Sequence, residues 1–248
     1  MDESGAPTQP SRQQVWRMFD RIAPRYDCLN RVLSMRQDVS WRRRMATFLK
    51  GRRSLKVLDL ATGTGDQILS LLRARADITQ AIGIDLSEEM LAIGRQKVAA
   101  RGLAERIELR TGDAMAIPAA TGTFDAATMS FGIRNVEKVD VALQEIWRVL
   151  KPGGRALILE FSVPTNGLVR GVYLFYLRHV LPRVGAAVSG DAEAYRYLNR
   201  TAETFPCGEA FCRLLRDAGF VDVVALPLTF GIATLYKGDK PDANNAGA

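Results

Sequence analysis

The segment Val57-Leu58-Asp59-Leu60-Ala61-Thr62-Gly63-Thr64-Gly65-Asp66 constrains this chain more than any other stretch. An apolar strand runs straight into a glycine-rich turn, and a helical pattern follows. A second apolar run, Gln80-Ala81-Ile82-Gly83-Ile84, ends in Asp85 about twenty residues beyond the turn. Gly63 and Gly65 can take backbone angles that other residues resist, so the chain there can lie close to a ligand. A carboxylate ending the second strand can accept hydrogen bonds from a ribose. Together they point to an open α/β sheet that holds an adenosine-containing cofactor across the carboxyl ends of its strands.

The alternation continues along the chain. Leu55–Leu60, Gln80–Asp85, Arg106–Thr111, Thr123–Ser130 and Arg155–Phe161 read as strands. Asp66–Ala76, Glu89–Ala100 (with Ser87 as N-cap), Val139–Leu150 and Glu209–Ala218 read as helices. Lys151-Pro152-Gly153-Gly154 reads as a helix stop and turn. Phe220–Leu226 and Ala233–Tyr236 close the sheet, with an antiparallel edge. This order predicts an α/β fold with a mostly parallel sheet covered on both faces. A length of 248 residues suits one domain. The expected organisation is a disordered N-terminus (1–14), a single domain (15–238) with a helical preface (15–53) and a lid insertion (165–205), and a disordered polar tail (239–248).

Composition limits the chemistry. The one histidine, His179, excludes a histidine-based triad or a multi-histidine metal site, and it reads as a lid residue. The three cysteines, Cys28, Cys207 and Cys212, have no metal-ligand spacing. The expectation is no metal and a reduced, cytoplasmic chain. Met1–Gln14 lacks the apolar core of a signal peptide, and no run of roughly 18 apolar residues spans a membrane. The net charge of +7 admits nucleic acid, anionic lipid or an anionic substrate, or simply an arginine-rich composition.

The dinucleotide fingerprint wants a third glycine where this chain has Ile68. A nicotinamide-binding sensor module is therefore disfavoured. Asp59, Gly63, Gly65 and Asp85, with Asp113-Ala114 after the third strand, fit S-adenosyl-L-methionine, which has no pyrophosphate to cradle. Asp85 is then expected on the ribose hydroxyls, Asp113 and Ala114 around the adenine, and Asp59 or Asp66 toward the cationic end of the methionine. The plain alternative makes Asp59 and Asp113 structural turn residues. The loop Met129-Ser130-Phe131-Gly132-Ile133-Arg134-Asn135-Val136 lacks the Asn/Asp-Pro-Pro-aromatic run of enzymes that methylate base amino groups. That counts against nucleic acid as partner, although an RNA methyltransferase stays open on charge.

Three further blocks carry a resemblance: Phe19-Asp20-Arg21-Ile22-Ala23-Pro24-Arg25-Tyr26-Asp27-Cys28-Leu29-Asn30 with Ser34 and Trp41; Ser130 to Val136; and Arg148 to Arg155 through Leu159-Glu160-Phe161-Ser162. In these the chain resembles the UbiE/MenG family of quinone-biosynthesis C-methyltransferases, over roughly residues 15–238. The resemblance implies a class I S-adenosylmethionine-dependent methyltransferase: a Rossmann-like seven-stranded sheet with a helical lid. It implies C-methylation of a lipid-tailed quinol, with demethylmenaquinol favoured and a polyprenyl-methoxy-benzoquinol as the alternative. Matching positions imply cofactor contacts at Thr64, Asp85, Asp113, Ala114 and Ser130. One departure stands out: Asp38 occupies the place where family members usually carry a histidine.

Carbon methylation needs a ring oxygen that loses its proton. Arg134 stays charged and cannot be the base, but it can stabilise the phenolate or orient a water; its plain reading is a loop anchor. Asn135 can hold that water or the ring oxygen. Asp27 and Asp38 are candidate bases, with Tyr26 as hydrogen-bonding partner. Leu168–Leu177 is apolar enough to line a prenyl tunnel, to rest on a membrane surface, or to be a buried lid helix. Arg42-Arg43-Arg44, Lys50, Arg52 and Arg53 can meet anionic head groups at the inner face of the membrane or form a solvated face. The sequence leaves the oligomeric state open.

Overall fold

The computed structural model describes residues 15–183 and 192–242. The expected N-terminal segment 1–14 and residues 243–248 of the expected tail lie outside the described residues, as do 184–191 of the expected lid. Strands β1 (Leu55–Leu60), β2 (Ile78–Asp85), β3 (Ile107–Thr111), β4 (Phe124–Ser130), β5 (Leu150–Phe161), β6 (Val221–Leu228) and β7 (Ala233–Asp239) form a seven-stranded sheet. Its spatial order is β3-β2-β1-β4-β5-β7-β6, with β7 antiparallel to both neighbours and the other pairs parallel. The helices are α1 (Val15–Leu33), α2 (Gln37–Met45), α3 (Asp66–Arg73), α4 (Glu88–Ala99), α5 (Val139–Val149), α6 (Gly167–Phe175), α7 (Ala192–Thr204) and α8 (Glu209–Asp217).

β1 is central, so both its faces are covered, and Val57, Leu58 and Leu60 are all buried. One core layer joins the sheet to α5 and α8 around Phe124, Ile146, Phe211 and Tyr236. The other joins it to α2, α3 and α4 around Met45, Ile68, Leu91 and Leu157. A third, smaller cluster of Leu29, Tyr173, Leu177, Leu181 and Tyr197 ties α1 to the insertion. The strand order reverses between β1 and β4. That leaves a crevice beyond their carboxyl ends, where α/β sheets bind ligands.

The close helix approach that a third glycine would permit is supplied elsewhere. A Cβ on Gly94 of α4 would lie 2.7 Å from Leu109 Cδ1 and 3.1 Å from the Thr64 carbonyl carbon. Ile68 is free to be a core residue, fully buried under α3. Ser87 caps α4 as expected, its hydroxyl accepting from the Met90 N–H at 3.2 Å.

Several boundaries differ from expectation. α3 ends at Arg73, and a left-handed Arg75 (φ 60°) turns the chain, so β2 begins at Ile78. The Lys151–Gly154 turn lies inside β5. Leu150 pairs with Phe124, and the backbones of Gly153 and Gly154 bond to that of Lys240 at 3.0 and 2.8 Å. For the same reason the tail does not start at 239. Asp239 closes β7 and pairs with Arg155 at 2.6 Å. Lys240 is buried, its ammonium donating to the carbonyls of Trp147 and Leu150.

Candidate active site

Two adjoining cavities sit over the crevice. The first, about 280 Å³, lies at the ends of β1 to β4 and is bordered by Gly63, Asp85, Asp113, Ala114, Ser130 and Asn135. The second, about 500 Å³ and mostly apolar, lies between α1, α2, the β4 loop and the α6–α7 insertion. Phe19 and Tyr26 of α1, and Phe131 of the β4 loop, border both. Left-handed residues end both central strands, Ala61 (φ 46°) after β1 and Phe131 (φ 60°) after β4. Such conformations cost of order 1–3 kcal/mol and cluster at functional sites.

At the first cavity, Asp85 accepts from the Gly63 N–H (2.8 Å) and the Ser87 N–H (2.9 Å), which fix the carboxylate at its edge. Burial raises its pKa, against those backbone donors. Asp113 is held by the Met115 N–H at 2.8 Å. Ser130 donates to Gln67 Oε1 at 2.9 Å. The buried Asn135 Oδ1 has no hydrogen-bond partner among the described residues.

Other expected contacts lie off that wall. Asp59 is buried behind the turn, accepting from Thr62 and Thr128 hydroxyls at 2.6 Å each. Thr64 and Asp27 belong to an ion-pair cluster rather than to either cavity wall. Thr64 donates to Asp27 at 2.7 Å, Lys97 pairs with Asp27 (2.7 Å) and Asp66 (2.5 Å), and Arg31 pairs with Asp66 and Asp38. Burial opposes the Asp66 charge, but Lys97, Arg42 and Arg31 outweigh it and hold the carboxyl at about 2. With Asp20 accepting from Ser87 at 2.5 Å, this network fastens α1 across α3 and α4. Gly65 (φ 77°) serves as the N-cap of α3.

At the second cavity, Arg134 is buried. Its Nη1 donates to Glu160 Oε1 and to the Phe131 carbonyl, both at 2.7 Å, and its Nε has no partner among the described residues. Glu160 is fully buried and also accepts from the Phe161 N–H at 2.8 Å. Arg134 thus braces its own loop against Glu160 while the residue borders the second cavity. Asp38 borders this cavity, held by Ser34 (2.9 Å) and Arg31. Burial raises the Tyr26 pKa, countered in part by Arg42 and by a hydrogen bond with Asn30. His179 stays exposed on the insertion, 5.0 Å from the Phe175 ring.

Sequence reasoning missed Glu160, whose signal is a lone carboxylate in Ala156-Leu157-Ile158-Leu159-Glu160-Phe161. It also took Arg42 for a head-group or solvated residue. Arg42 is buried with its guanidinium 5.2 Å over the Phe131 ring, while Arg43 and Arg44 are exposed. Among the described residues no cluster of three His, Cys, Asp or Glu could hold a metal ion.

The first cavity suits S-adenosylmethionine. It offers a fixed carboxylate for a ribose, apolar Leu86, Met90 and Met115 for an adenine, and an unpaired Asn135 oxygen. This sheet and this site define a class I S-adenosylmethionine-dependent methyltransferase. The chain belongs to the ubiE/COQ5 methyltransferase family, which matches residues 8–240. A demethylmenaquinone methyltransferase of Thermus thermophilus is 46% identical over 90% of this chain and 100% of its own. A ubiquinone/menaquinone biosynthesis C-methyltransferase of Syntrophotalea carbinolica is 47% identical over 96% of this chain and 97% of its own. Among solved structures, a methyltransferase of Thermotoga maritima shares the fold with a TM-score of 0.63 at 21% identity, covering 91% of this chain and 99% of its own.

The buried Asp59 gives a stability prediction. Burial pushes its carboxyl up to about 6, the Thr128 and Thr62 hydroxyls and Arg42 only partly opposing. A raised acid means the folded chain holds a proton that the unfolded chain releases. Stability therefore falls as pH rises from about 4 to 6, by about 3 kcal/mol in all. Asp59→Asn is expected to raise the urea midpoint at pH 7.5 and to leave it nearly unchanged at pH 4. Equal midpoints of variant and wild type at pH 7.5 would show that the carboxylate carries no such cost.

Proposed function

We propose that this enzyme methylates a ring carbon of a polyprenylated quinol, with demethylmenaquinol as the preferred substrate. The observation that carries the reading is the apolar second cavity, which meets the cofactor cavity at Phe19, Tyr26 and Phe131 with Arg134 in its wall. The relatives, a demethylmenaquinone methyltransferase and a ubiquinone/menaquinone biosynthesis C-methyltransferase, support the same substrate class. They favour it over RNA, for which an apolar chamber has no use.

Bound in the first cavity, S-adenosylmethionine supplies an electrophilic methyl group whose leaving group is a neutral thioether. The protein's part is to place an electron-rich carbon in line with it. Arg134, braced by Glu160, presents a fixed cation that stabilises the ring oxygen as it loses its proton. Asn135 holds the cofactor side of the junction. Of the two carboxylates expected as bases, Asp38 borders the substrate cavity, and we assign it the proton. Asp27 is committed to Lys97 and Thr64 and serves to fasten α1. Thr64, Gly65 and Asp59 act on the cofactor site from behind, through the shape and charge of the turn.

Access for a lipid tail is supported by an apolar surface on the insertion. Leu168, Val172 and Phe175 recur at helical spacing along α6 and are exposed, as are Met35 and Phe230. Among the described residues no helix is long and apolar enough to cross a membrane. We infer that the enzyme rests on the inner face of the membrane through this surface and draws its substrate from there. The test is methyl transfer to demethylmenaquinol and to a polyprenyl-methoxy-benzoquinol, each presented in anionic and in neutral vesicles. Turnover highest with demethylmenaquinol on vesicles is the expected result. No turnover of either quinol would defeat the substrate reading, and equal rates in detergent and on vesicles the membrane part.

A further inference from the structure

We propose that the Tyr173 hydroxyl donates a hydrogen bond to the second ring oxygen of the acceptor, the one not held by Arg134, and so keeps the reacting carbon in line with the methyl group. The proposal rests on the quinol reading above and adds a residue that orients the ring. Tyr173 lies on α6, and its ring is buried among Leu29, Leu177 and Leu181. Its hydroxyl is buried without a hydrogen-bond partner among the described residues, yet the residue borders the second cavity. A buried polar group left unpaired is costly and calls for an explanation.

Three other polar side chains around the cavity are paired. Tyr176 donates to the Leu33 carbonyl at 2.7 Å, Trp41 to Thr229 Oγ1 at 2.8 Å, and Ser34 to Asp38 at 2.9 Å. The Tyr173 phenol, like the Arg134 Nε, is a buried donor of that wall with no partner among the described residues. Burial also raises its pKa, with the Arg134 charge only partly offsetting and Glu160 adding to the rise. The group stays protonated and acts as a donor, not as a base. Arg134 and Tyr173 both border one cavity, so an aromatic ring with two para oxygens can meet the cation at one oxygen and the neutral donor at the other. A ring with a single oxygen would leave the phenol unpaired.

The experiment compares wild type and Tyr173→Phe on a short-chain naphthoquinol and on the matching naphthol that lacks the second oxygen. Expected for the variant is a drop of about ten- to a hundredfold in kcat/KM with the quinol, and no difference from wild type with the naphthol. Cofactor affinity should be unchanged, and Tm should hold or rise, because an unpaired hydroxyl has been removed. Undiminished kcat/KM with the quinol would overturn the proposal. So would equal losses on both acceptors together with a lower Tm, which would mark a structural hydroxyl. Failure of the wild type on the quinol would instead overturn the substrate reading, and this inference with it.

Discussion

Arg134→Met should lower kcat by about 10²–10³-fold while leaving the affinity for S-adenosylmethionine within a few-fold of wild type. Methionine keeps the length of the side chain and removes the charge. Arg134 borders the second cavity and not the first, so the loss should fall on turnover. The same change strands Glu160, which is fully buried and has Arg134 as its ion-pair partner at 2.7 Å. Removing one partner of a buried pair costs about 3–5 kcal/mol. The variant is therefore expected to be inactive and less stable at once. Adding Glu160→Gln should recover most of the stability and none of the turnover. Calorimetry and single-turnover rates on the single and double variants separate the two effects. Full turnover by Arg134→Met would reduce Arg134 to an anchor for its loop.

Gly132→Ala should be nearly as damaging, for a steric reason. A Cβ there would sit 2.5 Å from the Ala61 Cβ, closer than such atoms approach. The contact joins the ends of β1 and β4 beside two left-handed residues, so neither backbone has a relaxed state to move into. Relief must come from shifting the loop that carries Arg134 and Asn135. A displacement of about 1 Å at such a site can cost 10²-fold in rate, and overpacking about 1–3 kcal/mol in stability. Ala61→Gly in the same chain removes the opposing atom at a position whose φ of 46° suits glycine. The double variant should recover both losses. If the loss of rate persists in the double variant, Gly132 matters for some reason other than this contact.

How much of this was legible in the sequence depends on how local each signal was. The turn at Gly63 and Gly65, Asp85, Asp113-Ala114 and Ser130 follow the ends of predicted strands. Spacing alone brings them to one edge of a parallel sheet. The roles of Asp27, Arg42 and Glu160 depended on pairings that spacing does not encode. Asp27 faces Lys97 only because α1 lies across α4, and Glu160 meets Arg134 from a neighbouring strand. Arg42 stands between two core residues of α2, Trp41 and Met45, but is followed by two exposed arginines. A run of like charges reads as surface until the helix is docked. The turn at Lys151–Gly154 was misread because its glycines answer to Lys240 at the far end of the chain.

Helix α1 forms a common wall for two chambers and is tied down at Asp20, Asp27 and Arg31. A wall shared in this way makes the two occupants thermodynamically linked. Any shift of Phe19 or Tyr26 that favours the methyl donor also changes the space open to the acceptor. By reciprocity, the factor by which the donor tightens acceptor binding equals the factor by which the acceptor tightens the donor. The charged ties are partly exposed to water, so ionic strength acts on both affinities through one helix.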